Sequence, residues 1–244
     1  MQVETPAIVC AVLAHGEAGA VVRVLTPDNG LMAGYVRGGR SRRLRPVLQI
    51  GNGVVASLRA RVEEQLAAMT VEMVTSRAVL AFDPLGAVAL EWLGALLAET
   101  LPEAQPFPAV YRALDPLLTR MGTADARAWT ADLARFELML LHELGLGLDL
   151  SHCAATGQTD DLAWVSPRSR TAVSRAAGLP YAARLLPLPA FLIGPGEADW
   201  LAIARALALT RHFFARDLLE GRAARVLDAR DRLAALVDRR RIAG

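Results

Sequence analysis

Runs rich in apolar and β-branched residues lie between turn residues along the first 76 positions of the chain, and their apolar period is close to two. A period of two places successive side chains on opposite faces of a strand, so this pattern predicts β-strands. Turn residues separate five such runs, and Pro27-Asp28-Asn29-Gly30 favours a hairpin with antiparallel pairing of the second and third strands. Because a closed barrel leaves no exposed sheet edge, we predict a small OB-like barrel. Its strands are Ala7–Ala14, Ala20–Thr26, Leu31–Arg37, Gly53–Arg61 and Leu66–Thr75.

From about Ala78 the apolar period changes to 3.6 residues, which predicts helices. The predicted helices cover residues 84–100, 108–121, 125–145, 197–219 and 222–241, and Gly145 should end the third of them. Between 148 and 192 the pattern weakens into a turn-rich stretch, which we interpret as an irregular insertion. The fold class is therefore α+β. An OB-like barrel occupies residues 1–77, and a mainly α-helical domain with this insertion occupies residues 78–244.

Composition is typical of a globular protein: 53% of the 244 residues are hydrophobic and 21% are charged. The longest apolar run, Ala87 to Ala98, carries Glu91 and is too short to span a bilayer, so no membrane association is expected. The N-terminus lacks a basic segment followed by an apolar one, so we expect no export and a cytoplasmic location.

Charge is unevenly distributed along the chain. All 27 basic residues are arginine. Residues 1–61 carry 8 arginines and 3 acids, residues 62–165 carry 5 and 15, and residues 166–244 carry 14 and 7. The order basic, acidic, basic suits a protein that meets a polyanion with one face and another partner elsewhere.

The segment after the third strand is the best functional signal. Five arginines and no acid lie between Arg37 and Arg45, and residues 35–61 hold seven arginines without a carboxylate. Guanidinium groups match phosphate oxygens in bidentate geometry, so we predict a DNA-binding loop; the alternative is a solvated loop. Tyr35 is the only aromatic residue before Phe82, so binding should be sequence-tolerant and dominated by the phosphate backbone. The candidate DNA-binding residues are Tyr35, Arg37, Arg40, Arg42, Arg43, Arg45, Arg59 and Arg61.

Enzyme and metal chemistry have little support in the sequence. There is no Gly-x-Ser-x-Gly elbow, and Gly38-Gly39-Arg40 lacks the Gly-Lys-Ser/Thr of a phosphate loop. His152-Cys153 could begin a zinc site, but no second cysteine follows at knuckle spacing. We therefore predict no catalytic residue, no bound metal and no cofactor.

Two long stretches together resemble the RecO family of recombination mediators. The first runs from His15-Gly-Glu through Gly34-Tyr-Val-Arg-Gly-Gly-Arg40. The second runs from Arg135-Phe-Glu-Leu through Leu144-Gly-Leu-Gly-Leu-Asp-Leu150, followed by Cys153 and Gly157. The resemblance implies an N-terminal OB barrel, a helical C-terminal domain and, in some members, a small zinc-binding insertion. Cys153 matches the first zinc cysteine but the others are missing, so we expect a degenerate zinc-finger region without zinc.

The resemblance also implies a function. Such proteins are not enzymes; they bind single- and double-stranded DNA and anneal complementary strands. Together with RecR, they load RecA recombinase onto DNA coated by single-strand-binding protein. The alternatives left open by the residues are a helical protein-interaction scaffold that does not bind DNA and, less well supported, an enzyme.

The resemblance implies single-strand-binding protein as a partner, so the chain should also carry a surface that binds it. The C-terminal tail of bacterial single-strand-binding protein is acidic with an apolar tip, so its receptor needs a cation beside an apolar pocket. Arg135 is the leading candidate, followed by Arg127 and the region from Arg211 to Arg225. The alternative is that Arg135 only pairs with Asp132 on a helix face.

Overall fold

The computed structural model describes residues 2–60, 65–196 and 198–243, without the side chains of residues 222–224 and 243. Five N-terminal strands form a closed barrel in the order β1-β2-β3-β5-β4, and β4 pairs back onto β1. The predicted five-stranded OB-like barrel is confirmed. Its strands are β1 (Gln2–His15), β2 (Gly19–Thr26), β3 (Gly30–Val36), β4 (Gly53–Arg59) and β5 (Ala67–Thr75).

The long first strand makes closure possible. Its residues 2–8 pair antiparallel with β4, and its residues 8–15 pair antiparallel with β2, with a register shift after Val9. The strand begins at Gln2, five residues before the predicted start. Backbone pairing with β4 holds these first residues in the strand, and the apolar pattern used for the prediction does not extend to them. β3 meets β5 in a short parallel contact at Gly34 and Tyr35, which completes the barrel.

The barrel interior is filled by the inward half of each alternating strand. The predicted hairpin between β2 and β3 is present, with Thr26 opposite Gly30 and a positive φ of 68° at Gly30. Small and branched side chains fill the space; the buried cluster includes Val9, Val22, Val24, Met32, Val36, Leu48, Val54, Ala56, Leu58 and Met69.

Two helices belong to the same compact unit as the barrel, which extends to Thr123. They are α1 (Pro84–Thr100) and α2 (Pro108–Thr123), preceded by a 3-10 turn at Ala78–Phe82. Asp83 caps α1 by accepting a hydrogen bond from the Gly86 N–H at 3.1 Å, and Pro84 occupies the first helical position. Gly94 lets α1 approach the barrel, because a Cβ there would lie 2.5 Å from the Cys10 carbonyl oxygen.

The second unit, from Ala124 onward, is built on three long helices: α3 (Ala126–Glu143), α5 (Trp200–Asp217) and α6 (Leu227–Ala243). Gly145 ends α3 as predicted: its φ is +76°, and the Leu146 N–H bonds the Leu141 carbonyl at 2.8 Å. α5 begins at Trp200 because Asp199 caps it. A 3-10 segment at Gly221–Val226 occupies the predicted first turn of the last helix.

Short ordered elements occupy much of the predicted insertion at 148–192. They form a three-stranded antiparallel sheet in the order β7-β6-β8, with a short helix and a 3-10 segment between β7 and β8. The bounds are β6 (Leu162–Val165), β7 (Ala172–Ser174), α4 (Arg175–Gly178), the 3-10 segment Leu179–Arg184 and β8 (Leu186–Pro187). In the part of the chain that the structure describes, no helix is long and apolar enough to cross a bilayer. The domain boundary at residue 77 stays a prediction.

Candidate nucleic-acid interface

The connection from β3 to β4 is a folded loop, residues 37–52, and not an extended one. The Arg45 N–H bonds the Ser41 carbonyl at 3.0 Å, and the Leu48 N–H bonds the Leu44 carbonyl at 2.9 Å, as in successive helical turns. Leu48 is buried in the barrel core, and Leu44 and Val47 pack against it. With the apolar side chains held inward, the arginines between them are left at the surface.

The predicted cationic side chains are brought together on this loop, which we call the arginine loop. All five of its arginines are exposed. No carboxylate pairs with any of them among the residues described. These are Arg37, Arg40, Arg42, Arg43 and Arg45.

The remaining predicted residues lie apart from the arginine loop along the chain. Arg59 is exposed at the end of β4, where it pairs in register with Gln2 and Ala68. Arg61 falls outside the described residues. Tyr35 is half-buried on β3.

Both ends of the arginine loop are fixed. At its start, the Arg40 N–H bonds the Ala18 carbonyl at 3.1 Å, and the Arg40 guanidinium donates to the Glu17 carbonyl at 3.2 Å. These bonds tie the loop to the turn between β1 and β2. At its end, the buried Asn52 side chain donates to the carbonyls of Pro46 and Val47 at 2.8 and 3.1 Å. The loop is therefore held in shape by hydrogen bonds that leave its outer face free for a ligand.

Asn52 is itself held by a buried arginine. Its Oδ1 accepts a hydrogen bond from the Arg77 N–H at 2.8 Å, and the Arg77 guanidinium pairs with Asp115 of α2 at 2.7 Å. Burial lowers the pKa of Arg77, while the charge of Asp115 acts in the opposite direction. The arginine stays charged even so, and its contact with Asp115 links the end of the loop to α2.

A cleft of about 660 Å³ lies between the arginine loop and the second half of β1. Its apolar surface comes from Val12, Ala14 and Leu48, and its cationic surface from Arg40 and Arg45. No carboxylate lines it among the described residues. An extended polyanion with flat apolar groups, such as a single strand of DNA, fits this combination of charge and surface.

Sequence reasoning misses two parts of this site. The pattern predicts Val12 only as a strand residue, but Val12 is 37% exposed and lines the cleft beside the arginine loop. His15 forms an edge-to-face contact with Tyr35, with ring centroids 5.6 Å apart. Gly19 makes room for Tyr35, because a Cβ there would overlap its ring. The aromatic surface at the β1–β2 turn therefore has two rings, where the sequence indicates one.

The predicted partner-binding arginines lie in the second unit, on α3, on α5 and in the 3-10 segment before α6. Arg135 pairs with Asp132 at 3.1 Å and stacks 5.1 Å above the Phe191 ring. Arg211 makes a bidentate pair with Asp231. Arg127 and Arg225 are exposed. The contact between Arg135 and Asp132 is the one named by the alternative interpretation, and a role for any of the four in binding stays a prediction.

The stretch around Cys153, where the resemblance implies a degenerate zinc finger, has a buried thiol in a hydrogen-bonded setting. The Ser174 N–H donates to Cys153 Sγ at 3.2 Å, and the neighbouring His152 lies 3.4 Å from Asp149. No cluster of three or more histidine, cysteine, aspartate or glutamate side chains suited to a metal ion occurs within the described ranges.

Comparison with known proteins identifies the family. The model "Recombination protein O N terminal" matches residues 1–77, and "Recombination protein O C terminal" matches residues 82–225. The chain belongs to the RecO family. Its role therefore lies in DNA repair and recombination, and the family resemblance found in the sequence is confirmed.

Individual RecO proteins match over most of their length. The DNA repair protein RecO of Phenylobacterium zucineum is 48% identical over 215 residues, which cover 87% of this chain and 88% of that protein. The protein of the same name from Rhizobium johnstonii is 44% identical over 95% of this chain and 90% of its own length. That of Cereibacter sphaeroides is 42% identical, with 92% and 93% covered.

Proposed function

We propose that this RecO-family protein is a non-enzymatic mediator that binds single- and double-stranded DNA and anneals complementary strands. With RecR, it helps to load RecA recombinase onto DNA coated by single-strand-binding protein. The observation that carries the DNA-binding part is the arginine loop: five exposed arginines without carboxylate partners among the described residues, beside a cleft without a lining carboxylate.

Three physical features favour DNA as the ligand of the cleft. Unpaired guanidinium groups repel one another, and a phosphate chain relieves that repulsion while it releases condensed counterions. The loop is fixed at both ends, so little conformational entropy is lost when a strand binds. Aliphatic side chains line the cleft, which suits any base and so supports sequence-tolerant binding.

The deciding experiment measures affinity for single-stranded DNA by fluorescence anisotropy over a salt series. Arg40, Arg42, Arg43 and Arg45 are changed together to Gln. We expect weaker binding to every sequence and a slope of log K against log salt that flattens by up to ~0.7 for each phosphate that is no longer neutralised. The melting temperature should stay close to that of the wild type, because these side chains are exposed, and the Arg40 backbone bond to Ala18 remains when the exposed side-chain bond to Glu17 is lost.

The matched control changes four exposed arginines elsewhere, Arg112, Arg168, Arg184 and Arg239, to Gln. It removes the same charge from the chain, so an equal loss of affinity would show a general charge effect and not a site. Unchanged affinity and slope in the folded loop variant would contradict the DNA-binding proposal for the loop. Absence of DNA binding by the wild type would favour the helical interaction scaffold.

The partner part of the proposal assigns the acidic tail of single-strand-binding protein to the second unit. Arg135 remains the first candidate receptor, with Arg127, Arg211 and Arg225 behind it. Arg135 lies over the ring of the buried Phe191, so its cation stands at the edge of the apolar core, as a receptor for an acidic tail with an apolar tip needs. Its pair with Asp132 is partly exposed on both sides, and such pairs contribute little that a competing carboxylate could not replace.

A further inference from the structure

A second pocket with cationic side chains lies in the unit that begins at Ala124. It has a volume of about 290 Å³ and is bounded by the small sheet and by the first two turns of α5. Ala163, Pro187 and Leu188 supply its apolar wall, and Trp164 supplies an aromatic one. Arg175 and Arg205 line it from different elements, α4 and α5. The volume is at the lower end of the range for small-ligand sites.

The charge of this pocket is open to an anion. Arg205 is exposed and has no carboxylate partner in the described part of the chain. Arg175 pairs with Asp161 at 2.9 Å, but 66% and 48% of the two side chains are exposed to solvent. A pair this exposed is screened and weak, so a phosphate could replace the carboxylate at small cost. No carboxylate is among the lining residues that are described.

The apolar wall favours a flat ligand over a peptide strand. β8 is an edge strand that pairs only with β6 in the described sheet. Pro187 and Pro189 have no N–H to donate, and the Leu188 N–H already bonds the Ala163 carbonyl at 2.9 Å. An added peptide strand would therefore find few backbone partners on this edge. A nucleobase needs none of them, because it can stack on the rings that line the wall.

Trp164 is held in place before any ligand binds. Its indole ring packs against Gly178, where a Cβ would overlap Trp164 Cδ1. Trp164 also pairs in register with Val173 and Pro187 within the sheet. A fixed aromatic surface loses little entropy on binding, which favours stacking.

We propose that this pocket binds one nucleotide unit of a single strand of DNA, with the base against Trp164 and the proline wall and the phosphate between Arg175 and Arg205. This inference rests on the proposed DNA-binding function. It adds a contact in the second unit that is separate from the arginine loop along the chain. One chain would then hold single-stranded DNA through two sites, which fits the annealing of two strands.

The test uses the full chain and oligothymidylate labelled for anisotropy. Arg175 and Arg205 are changed together to Gln, and the matched control changes Arg168 and Arg184, two exposed arginines of the same unit, to Gln. We expect the pocket variant to bind about 3- to 10-fold more weakly, with a salt slope flattened by ~0.7 for each phosphate that loses its arginine. The control should change affinity less than about twofold. Thymidylate should also quench tryptophan fluorescence in the wild type, and this quenching should be lost in Trp164→Phe.

The outcomes separate this proposal from the general one. Suppose that the wild type binds the oligonucleotide, that the pocket variant binds as tightly as its control, and that Trp164→Phe retains the quenching. The pocket is then not a nucleotide site, but the proposed DNA-binding function stands. If the wild type binds no single-stranded DNA, both proposals fail. If instead an acidic peptide with a free C-terminal carboxylate loses affinity in the pocket variant while DNA binding is unchanged, the pocket belongs to a peptide and the nucleotide assignment is wrong.

Discussion

A fully buried ion pair joins the three long helices of the second unit. Arg230 and Glu137 have no exposed side-chain surface, and Arg230 Nε lies 3.0 Å from Glu137 Oε1. Arg230 also donates to the Leu207 carbonyl at 2.6 Å, and Thr210 donates to Glu137. No sequence pattern indicates this pair. Arg230 lies in a helix rich in arginine and aspartate, and such a composition is typical of a helix exposed to solvent. Only the tertiary structure shows which arginine faces inward.

Removing one partner of this pair should destabilise the protein strongly. Glu137→Ala leaves a guanidinium buried without its counter-charge, and we expect a loss of about 3–5 kcal/mol in the free energy of unfolding. Urea denaturation followed by circular dichroism measures it. Replacing both partners, Glu137→Leu with Arg230→Met, should recover most of the loss, since no buried charge remains. A Glu137→Ala variant as stable as the wild type would contradict the structural role of the pair.

Arg135 offers a residue-level test of the partner surface. If it receives the acidic tail of single-strand-binding protein, Arg135→Ala should weaken binding of a tail peptide by more than ~1 kcal/mol, the scale of one charge-assisted hydrogen bond. Calorimetry with the isolated peptide measures this, and binding of naked single-stranded DNA should be unchanged. Arg184→Ala, which removes an exposed arginine of the same unit, is the control. Equal peptide affinity in wild type and Arg135→Ala would remove Arg135 from the site.

The elements show how far sequence patterns reach. The alternating strands are predictable because their buried side chains come from one face of each strand. The parallel contact of β3 with β5 is not, because residues 34 and 67 are far apart in sequence and two register pairs leave no pattern. β6, β7 and β8 escape prediction because strands of two to four residues are too short to show a period. The arginine loop is visible from composition, whereas its cleft with Val12 depends on tertiary packing.

The end of α5 carries a pH-sensitive contact. Asp217 pairs with Arg216 at 2.7 Å and with Arg170 at 3.1 Å, and Arg216 also bonds the Pro167 carbonyl, so the helix end is tied to the turn between β6 and β7. Burial alone would raise the pKa of Asp217, but the hydrogen bonds and charges of the two arginines outweigh it and hold the pKa below its ordinary value.

The lowered pKa of Asp217 predicts the direction in which stability changes with pH. Because the carboxylate binds protons less readily in the folded state, its contribution to stability is present above the unfolded pKa of ~3.9 and is lost as pH falls through the folded pKa. Asp217→Asn should therefore lower the free energy of unfolding at pH 7 and reduce the difference between pH 7 and pH 3. Urea midpoints at both pH values measure this, with exposed Asp160→Asn as the control. The same pH difference in Asp217→Asn and wild type would contradict it.

At the scale of the whole chain, the RecO family models meet near residue 80, whereas the first compact unit extends to Thr123. The packing of the first unit explains the difference. Leu90, Leu93 and Leu97 of α1 pack on Ile8 and Cys10 of the barrel, and the space left among these apolar side chains is only about 10 Å³. A chain cut at residue 77 would expose this apolar surface of the barrel.

A truncation series tests which boundary is the folding boundary. We expect a fragment of residues 1–123 to unfold cooperatively and to bind single-stranded DNA through the arginine loop. A fragment of residues 1–77 should be markedly less stable, because it lacks the cover of α1 and the Asp115 carboxylate that pairs with Arg77. Arg77 would then keep its contact to Asn52 without a counter-charge, so the end of the arginine loop should loosen as well. Urea denaturation and anisotropy with oligothymidylate measure both effects.

Asp115→Asn in the longer fragment separates the effect of the ion pair from that of the apolar cover. If this variant shows the DNA-binding defect of the short fragment without its loss of stability, the Arg77 contact alone shapes the loop. Equal stability and affinity of the two fragments would place the folding boundary at residue 77 and contradict the stabilising role of α1 and α2.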